Sequence, residues 1–153
     1  MTDDSHATSA GAEQTITEAA LVACESSVIY RRRNPGTISV AAVAELVLFD
    51  AENPRSLAFQ LDRLRTALKA LPGSSGSSRP ERLVEEIATT LRRIEPADLE
   101  QVTSDGNRAE LASLLKSMHA ELRELSGVIT ASHLSLPGGM QPLWGPDERR
   151  VMP

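Results

Sequence analysis

From about Gln14 to Arg33, the positions Ile16, Ala20 and Cys24, with Leu21, Val22, Val28 and Ile29, recur at three- and four-residue steps. That is the period of an amphipathic helix. Asn34-Pro35-Gly36 ends it, because Pro35 disfavours helical geometry at the residue before it. A second helix is predicted from Ser39, which is suited to cap it, to about Phe49. Val40, Val43, Ala44, Leu46, Val47 and Leu48 make it apolar nearly all round, so it should be central. In Asp50-Ala51-Glu52-Asn53-Pro54 we expect a connector, with Asn53 as cap and Pro54 at the first position of a third helix. Leu57, Leu61, Leu64, Leu68 and Leu71 give that helix a leucine seam at steps of 4, 3, 4 and 3, until Pro72-Gly73. A fourth helix, from about Pro80 to Ile94, carries Leu83, Ile87, Leu91 and Ile94 on one face, and a short helical turn follows at Pro96 to Leu99. After Ser104-Asp105-Gly106-Asn107, Leu111, Leu115, Met118, Leu122, Leu125 and Ile129 mark the last helix at steps of 4, 3, 4, 3 and 4.

Three stretches lack the period. Residues 1–13 are rich in Ser, Thr, Ala and Asp and predict a disordered leader. Leu71 to Pro80 is a Gly/Ser stretch expected to act as a flexible tether between the two halves. Residues 134–153, with Pro137, Pro142, Pro146 and Pro153, predict an irregular tail. The expected architecture is all-α: an antiparallel bundle of about five helices over residues 14–133.

Composition agrees. At 153 residues the chain suits one domain with one core, and 3% aromatic residues favour helices over a β-sandwich or barrel. A net charge of −5 and a pI near 5.2 argue against a surface for nucleic acid or anionic lipid. No apolar run approaches the roughly 20 residues that span a bilayer, and the first fifteen residues have no signal-peptide pattern, so the expected compartment is the cytoplasm. The single Cys24 allows no internal disulfide and is expected as a small apolar residue in a helix interface.

The nucleotide-binding and hydrolytic signatures GxxxxGK[ST], GxGxxG, HExxH, GxSxG and CxxC are missing. His6, His119 and His133 have no metal-ligand spacing and read as surface residues, so neither cofactor nor metal is expected. The unusual feature is the run Glu25 to Arg33, which holds Tyr30-Arg31-Arg32-Arg33, followed by Asp50 to Leu61. Adjacent helical residues project about 100° apart, so one of the three arginines should turn toward a neighbouring helix. Asp50, Glu52 and Gln60 are the candidate partners. Two readings stand: a solvated arginine cap at the helix C-terminus, or a polar network or anion pocket of Tyr30, Arg31, Arg32, Arg33, Asp50, Asn53, Arg55, Ser56 and Gln60.

Tyr30-Arg31-Arg32-Arg33, Asp50 and Asn53-Pro54-Arg55-Ser56-Leu57-Ala58-Phe59-Gln60-Leu61 together resemble the alpha-E domain family of bacterial proteins, over about Glu18 to His133. The resemblance implies an all-helical domain of unestablished function, often encoded beside or fused to a circularly permuted ATP-grasp ligase and a transglutaminase-like protease. That context implies peptide ligation or modification. The family's opening Ser-Arg-x-Ala-Glu-type helix is missing before Gln14, so the resemblance is to its C-terminal half. A half-domain should expose apolar surface, implying self-association or a partner carrying the missing helices. The leading functional reading is a non-catalytic accessory or interaction module of an ATP-grasp-type ligase. The alternatives are an anion-binding enzyme subunit using Arg32, Asp50, Arg55 and Gln60, and a truncated remnant without activity of its own.

Overall fold

The computed structural model describes residues 3–72 and 74–134, and every regular element among them is helical. The order is α1 (Asp3–Ala23), α2 (Ser27–Arg33), α3 (Val40–Ala44) with a π-helical turn (Glu45–Phe49), α4 (Leu57–Lys69), α5 (Arg79–Arg92), a 3-10 turn (Pro96–Glu100) and α6 (Ala109–Ile129) with a π-helical turn (Thr130–Leu134). The fold is all-α, as expected. The expected tail, apart from Leu134, lies outside the described residues.

The larger core joins α4, α5, α6 and the 3-10 turn through Leu61, Leu68, Val84, Ile87, Leu91, Leu99, Leu114, Met118 and Leu125. Arg79 at the start of α5 bonds Glu124 near the end of α6 at 2.9 Å, so these two helices run antiparallel. A smaller cluster of Leu21, Tyr30, Val43 and Leu46 ties α1, α2 and α3 together.

Several boundaries differ from expectation. The first helix does not run unbroken to Arg33. It ends in a Schellman motif, in which the Ser26 N–H bonds Leu21 O and the Glu25 N–H bonds Val22 O, both at 2.9 Å. Glu25 occupies the left-handed position at φ 49°, where glycine is usual, so the sequence carries no helix-stop signal there. Cys24 is exposed beside this turn and does not lie in a helix interface. At the other end α1 begins at Asp3. Within it Glu13 accepts from Arg108 Nε at 2.7 Å and Nη2 at 2.6 Å.

Ser39 caps α3 as expected, accepting from the Ala42 N–H at 3.2 Å. The α-helix then widens, and the Asp50 N–H reaches Glu45 O at 2.8 Å, five residues back. Asn53 is not the next cap. Ser56 takes that role by accepting from the Phe59 N–H at 3.0 Å, and Pro54 lies in the turn before α4. The expected tether is ordered at its distal end: Ser78 and Glu81 form a reciprocal capping box, and Ser74 donates to Glu81 at 2.6 Å. α4 and α5 therefore pack as direct neighbours, not as separate halves. On α5 the residue driven deepest is Val84, where Leu83 was expected. On α6 Leu114 takes the place expected for Leu115, which is 48% exposed.

Candidate functional site

The sequence marked the arginine run and the Asn-Pro-Arg-Ser segment as one cluster. The fold places them around the end of α2, the start of α3 and the turn from Asp50 to Ser56. Tyr30 is buried on the inner face of α2, and its hydroxyl accepts from the Ser39 N–H at 3.0 Å. The ring therefore fills the smaller core while its polar tip holds the α3 cap in place.

Of the three arginines, Arg33 turns toward a neighbour and pairs with Asp50. Arg31 and Arg32 are exposed and form no ion pair among the described residues. Asp50 is the hub of the turn. Its second carboxylate oxygen accepts from the Glu52 N–H at 2.8 Å, and its carbonyl accepts from the Ser56 hydroxyl. Burial pushes the Asp50 carboxyl up, but the Glu52 amide, the Arg33 guanidinium and the Asn53 amide outweigh it and hold the group below the usual carboxylate range.

Asn53 is 2% exposed, and its amide spans the turn. Nδ2 donates to Leu46 O at 2.9 Å, and Oδ1 accepts from the Arg55 N–H at 3.2 Å. Gln60 Nε2 donates to Pro54 O at 2.6 Å, so Gln60 locks the same turn from α4. Glu52 contributes its backbone and forms no ion pair among the described residues. Arg55 does not meet the partners expected for the cluster: its Nε bonds Glu25 at 2.9 Å, across to the α1–α2 turn. That pair is exposed, at 47% and 70%, and is no buried charge pair.

Part of the cluster assembles: Arg33, Asp50, Asn53, Ser56 and Gln60 meet at the turn, the side chains of Tyr30 and Arg55 bond elsewhere, and Arg31 and Arg32 stand apart. Sequence reasoning missed Glu13, Glu100 and Arg108, and it marked Glu25 within the unusual run without naming it as a partner. Glu100 accepts from the Ser39 hydroxyl at 2.6 Å and from the Ala41 N–H at 3.2 Å, and these two donors hold its carboxyl below the usual range. Arg108 likewise lowers the Glu13 carboxyl, chiefly by direct hydrogen bonding. These partners lie tens of residues away, and an isolated Glu in a polar run carries no local signal of them. A cleft of about 420 Å³ adjoins the Arg33–Asp50 pair, with Glu45, Leu46 and Phe49 in its wall. Among the described residues, no group of three or more His, Cys, Asp or Glu is placed to hold a metal ion. No helix of the described residues is long and apolar enough to cross a membrane. His119 and His133 are exposed.

The comparisons with known proteins agree with an all-helical chain. Uncharacterized proteins of Mycobacterium tuberculosis and of Mycobacterium bovis are 70% identical to this chain over 142 residues, covering 93% of it and 16% of each relative. The chain thus spans about a sixth of the length of the curated relatives it matches. No solved structure matches. The model of the Alpha-E family, "a predicted alpha-helical domain with a conserved ER motif", matches residues 2–134, and the chain belongs to that family.

Proposed function

We propose that this Alpha-E domain is a non-catalytic docking module of a peptide-modifying system, which brings an ATP-grasp-type ligase together with its protein partner in the cytoplasm. One observation carries the reading. Arg33, Asp50, Asn53, Arg55, Ser56 and Gln60 spend their hydrogen bonds on the turn between α3 and α4 and on the elements around it. A catalytic cluster keeps groups poised for substrate, whereas a brace spends them on the fold. The brace fixes how α1 and α2 stand on the rest of the bundle, and Ile16, Val22 and Val28 on those helices are exposed apolar residues. They offer surface to a second copy or to a chain carrying further helices of the same protein.

The test has two arms. The purified chain is titrated by calorimetry with an ATP-grasp-type ligase from the same organism, and ATP turnover is measured for each protein alone and for the mixture. Saturable binding, with turnover traceable to the ligase, is the expected result. ATP- or substrate-dependent turnover by the isolated chain, abolished by Arg55→Ala or Asp50→Asn, would instead make it an anion-binding enzyme subunit.

A further inference from the structure

We propose that the cleft walled by α1, α2 and the loop between α2 and α3 binds a small organic monocarboxylate carrying an apolar group. The cleft measures about 450 Å³, inside the roughly 300–1,000 Å³ range of small-ligand sites. Its Ser27 and Arg31 take no part in the brace, while Val22 in its wall also belongs to the apolar surface of the docking reading.

Three observations define the ligand. The Ser27 hydroxyl oxygen is buried and has no hydrogen-bond partner among the described residues, a state that leaves its loss of water uncompensated. Arg31, one helical turn further along α2, lines the same cleft and forms no ion pair among the described residues, although Arg33 close by is paired with Asp50. An oxygen acid suits both, because the guanidinium fork matches a carboxylate and the hydroxyl, once a rotation of its side chain opens it to the cleft, can donate to the same group. Glu18 narrows the class. It also lines the cleft, where it accepts from Gln14 Nε2 at 3.3 Å. One arginine beside one carboxylate suits a single negative charge and disfavours a dianion such as phosphate. Leu21, Val22 and Ile38 complete the wall and give the apolar group its surface.

The probes are N-acetyl-leucine, its C-terminal amide and inorganic phosphate, each titrated into the full ¹⁵N-labelled chain by two-dimensional NMR. The acid is expected to give saturable shifts at amides within residues 27–38, with little response to the amide or to phosphate. Arg31→Gln should weaken the acid by about tenfold or more, the loss of one charge-assisted fork. Arg31→Lys should fall between it and the parent chain, because it keeps the charge and loses the fork. Ser27→Ala should weaken binding several-fold. Arg32→Gln, a change to an exposed arginine outside the cleft, should bind as the parent does and controls for net charge. Absence of saturable shifts, equal response to the amide, tighter binding of phosphate, or an unchanged affinity in Arg31→Gln overturns the proposal.

Discussion

Replacing Asn53 by Ala tests the brace at its most buried polar point. The Asp50 N–H is directed to Glu45 O by the π-helical turn, and Leu46 O is taken up by Asn53 Nδ2 at 2.9 Å. Truncation strands that carbonyl in a site where the side chain was 2% exposed, and leaves a small void. A stranded buried acceptor costs about 1–3 kcal/mol, and the void raises the expected loss to about 2–4 kcal/mol. At roughly 2–4 °C per kcal/mol for a chain of this size, the melting temperature should fall by about 4–16 °C. Urea unfolding followed by circular dichroism gives the free energy directly. Asn53→Asp separates hydrogen bonding from volume, because it keeps the shape and the acceptor that serves the Arg55 N–H but sets a carboxylate oxygen against Leu46 O. Near neutral pH it should cost at least as much as Asn53→Ala. Below the new carboxyl's pKa, where the group can donate again, the loss relative to the parent should shrink. A loss below about 0.5 kcal/mol for Asn53→Ala, the level of an ordinary surface change, would refute the reasoning, as would Asn53→Asp matching the parent at neutral pH.

Arg55→Ala should cost at most about 1 kcal/mol, because its pair with Glu25 is exposed at 47% and 70% and leaves no buried charge behind; thermal denaturation checks this. In the Arg55→Ala background, Glu25→Gly should stabilise the chain by about 1 kcal/mol, since it relieves the left-handed strain at φ 49° without breaking a pair, and an unchanged or lowered stability would count against the Schellman assignment. Acid should loosen the start of α5. The hydroxyls of Ser74 and Ser78 and the Ser78 amide hold the Glu81 carboxyl down at about 2, so its capping contribution is complete above the ordinary value of 4.5 and is lost as pH falls from there toward about 2. Glu81→Gln should flatten that part of a stability-against-pH curve. Ile87→Ala should cost about 2–5 kcal/mol while Leu115→Ala stays within about 0.5 kcal/mol; comparable losses would mean the face of α6 is misassigned.

Helix identity was legible because it rests on periodicity, and Leu61, Leu68, Ile87, Leu91, Met118 and Leu125 are all buried where the seams placed them. The two errors of helix face have a common cause. A heptad-like reading at steps of 3 and 4 accepts either of two adjacent apolar residues, and Leu83-Val84 and Leu114-Leu115 each offer such a choice. Packing decides between them, and packing depends on the angle at which the next helix crosses. The breaks at Glu25 and after Ala44 were illegible for another reason. Neither carries Gly or Pro, so the backbone departs from the α-helix at residues whose own preferences allow it to continue.

The polar cluster was recognisable as a set of residues and unreadable as a set of bonds. Arg33, Asp50, Asn53, Ser56 and Gln60 meet around one turn, which spacing alone could suggest, while Tyr30 bonds the start of α3. Whether such residues form a pocket or a brace depends on where each donor is directed, and that follows from the π-helical turn. By carrying the Asp50 N–H back to Glu45 O, the turn leaves Leu46 O for Asn53, and Asn53 in turn fixes the Arg55 amide. With Arg55 so placed, its side chain reaches Glu25 in the α1–α2 turn. The segment that looked most like a ligand site is thereby committed to holding α1 and α2 against the bundle. The cleft those two helices form with the α2–α3 loop is lined by Ser27 and Arg31, whose side chains have no hydrogen-bond partner and no ion pair, respectively, among the described residues. The arginine run thus divides its labour along α2: Arg33 serves the fold, and Arg31 is left for what the cleft receives.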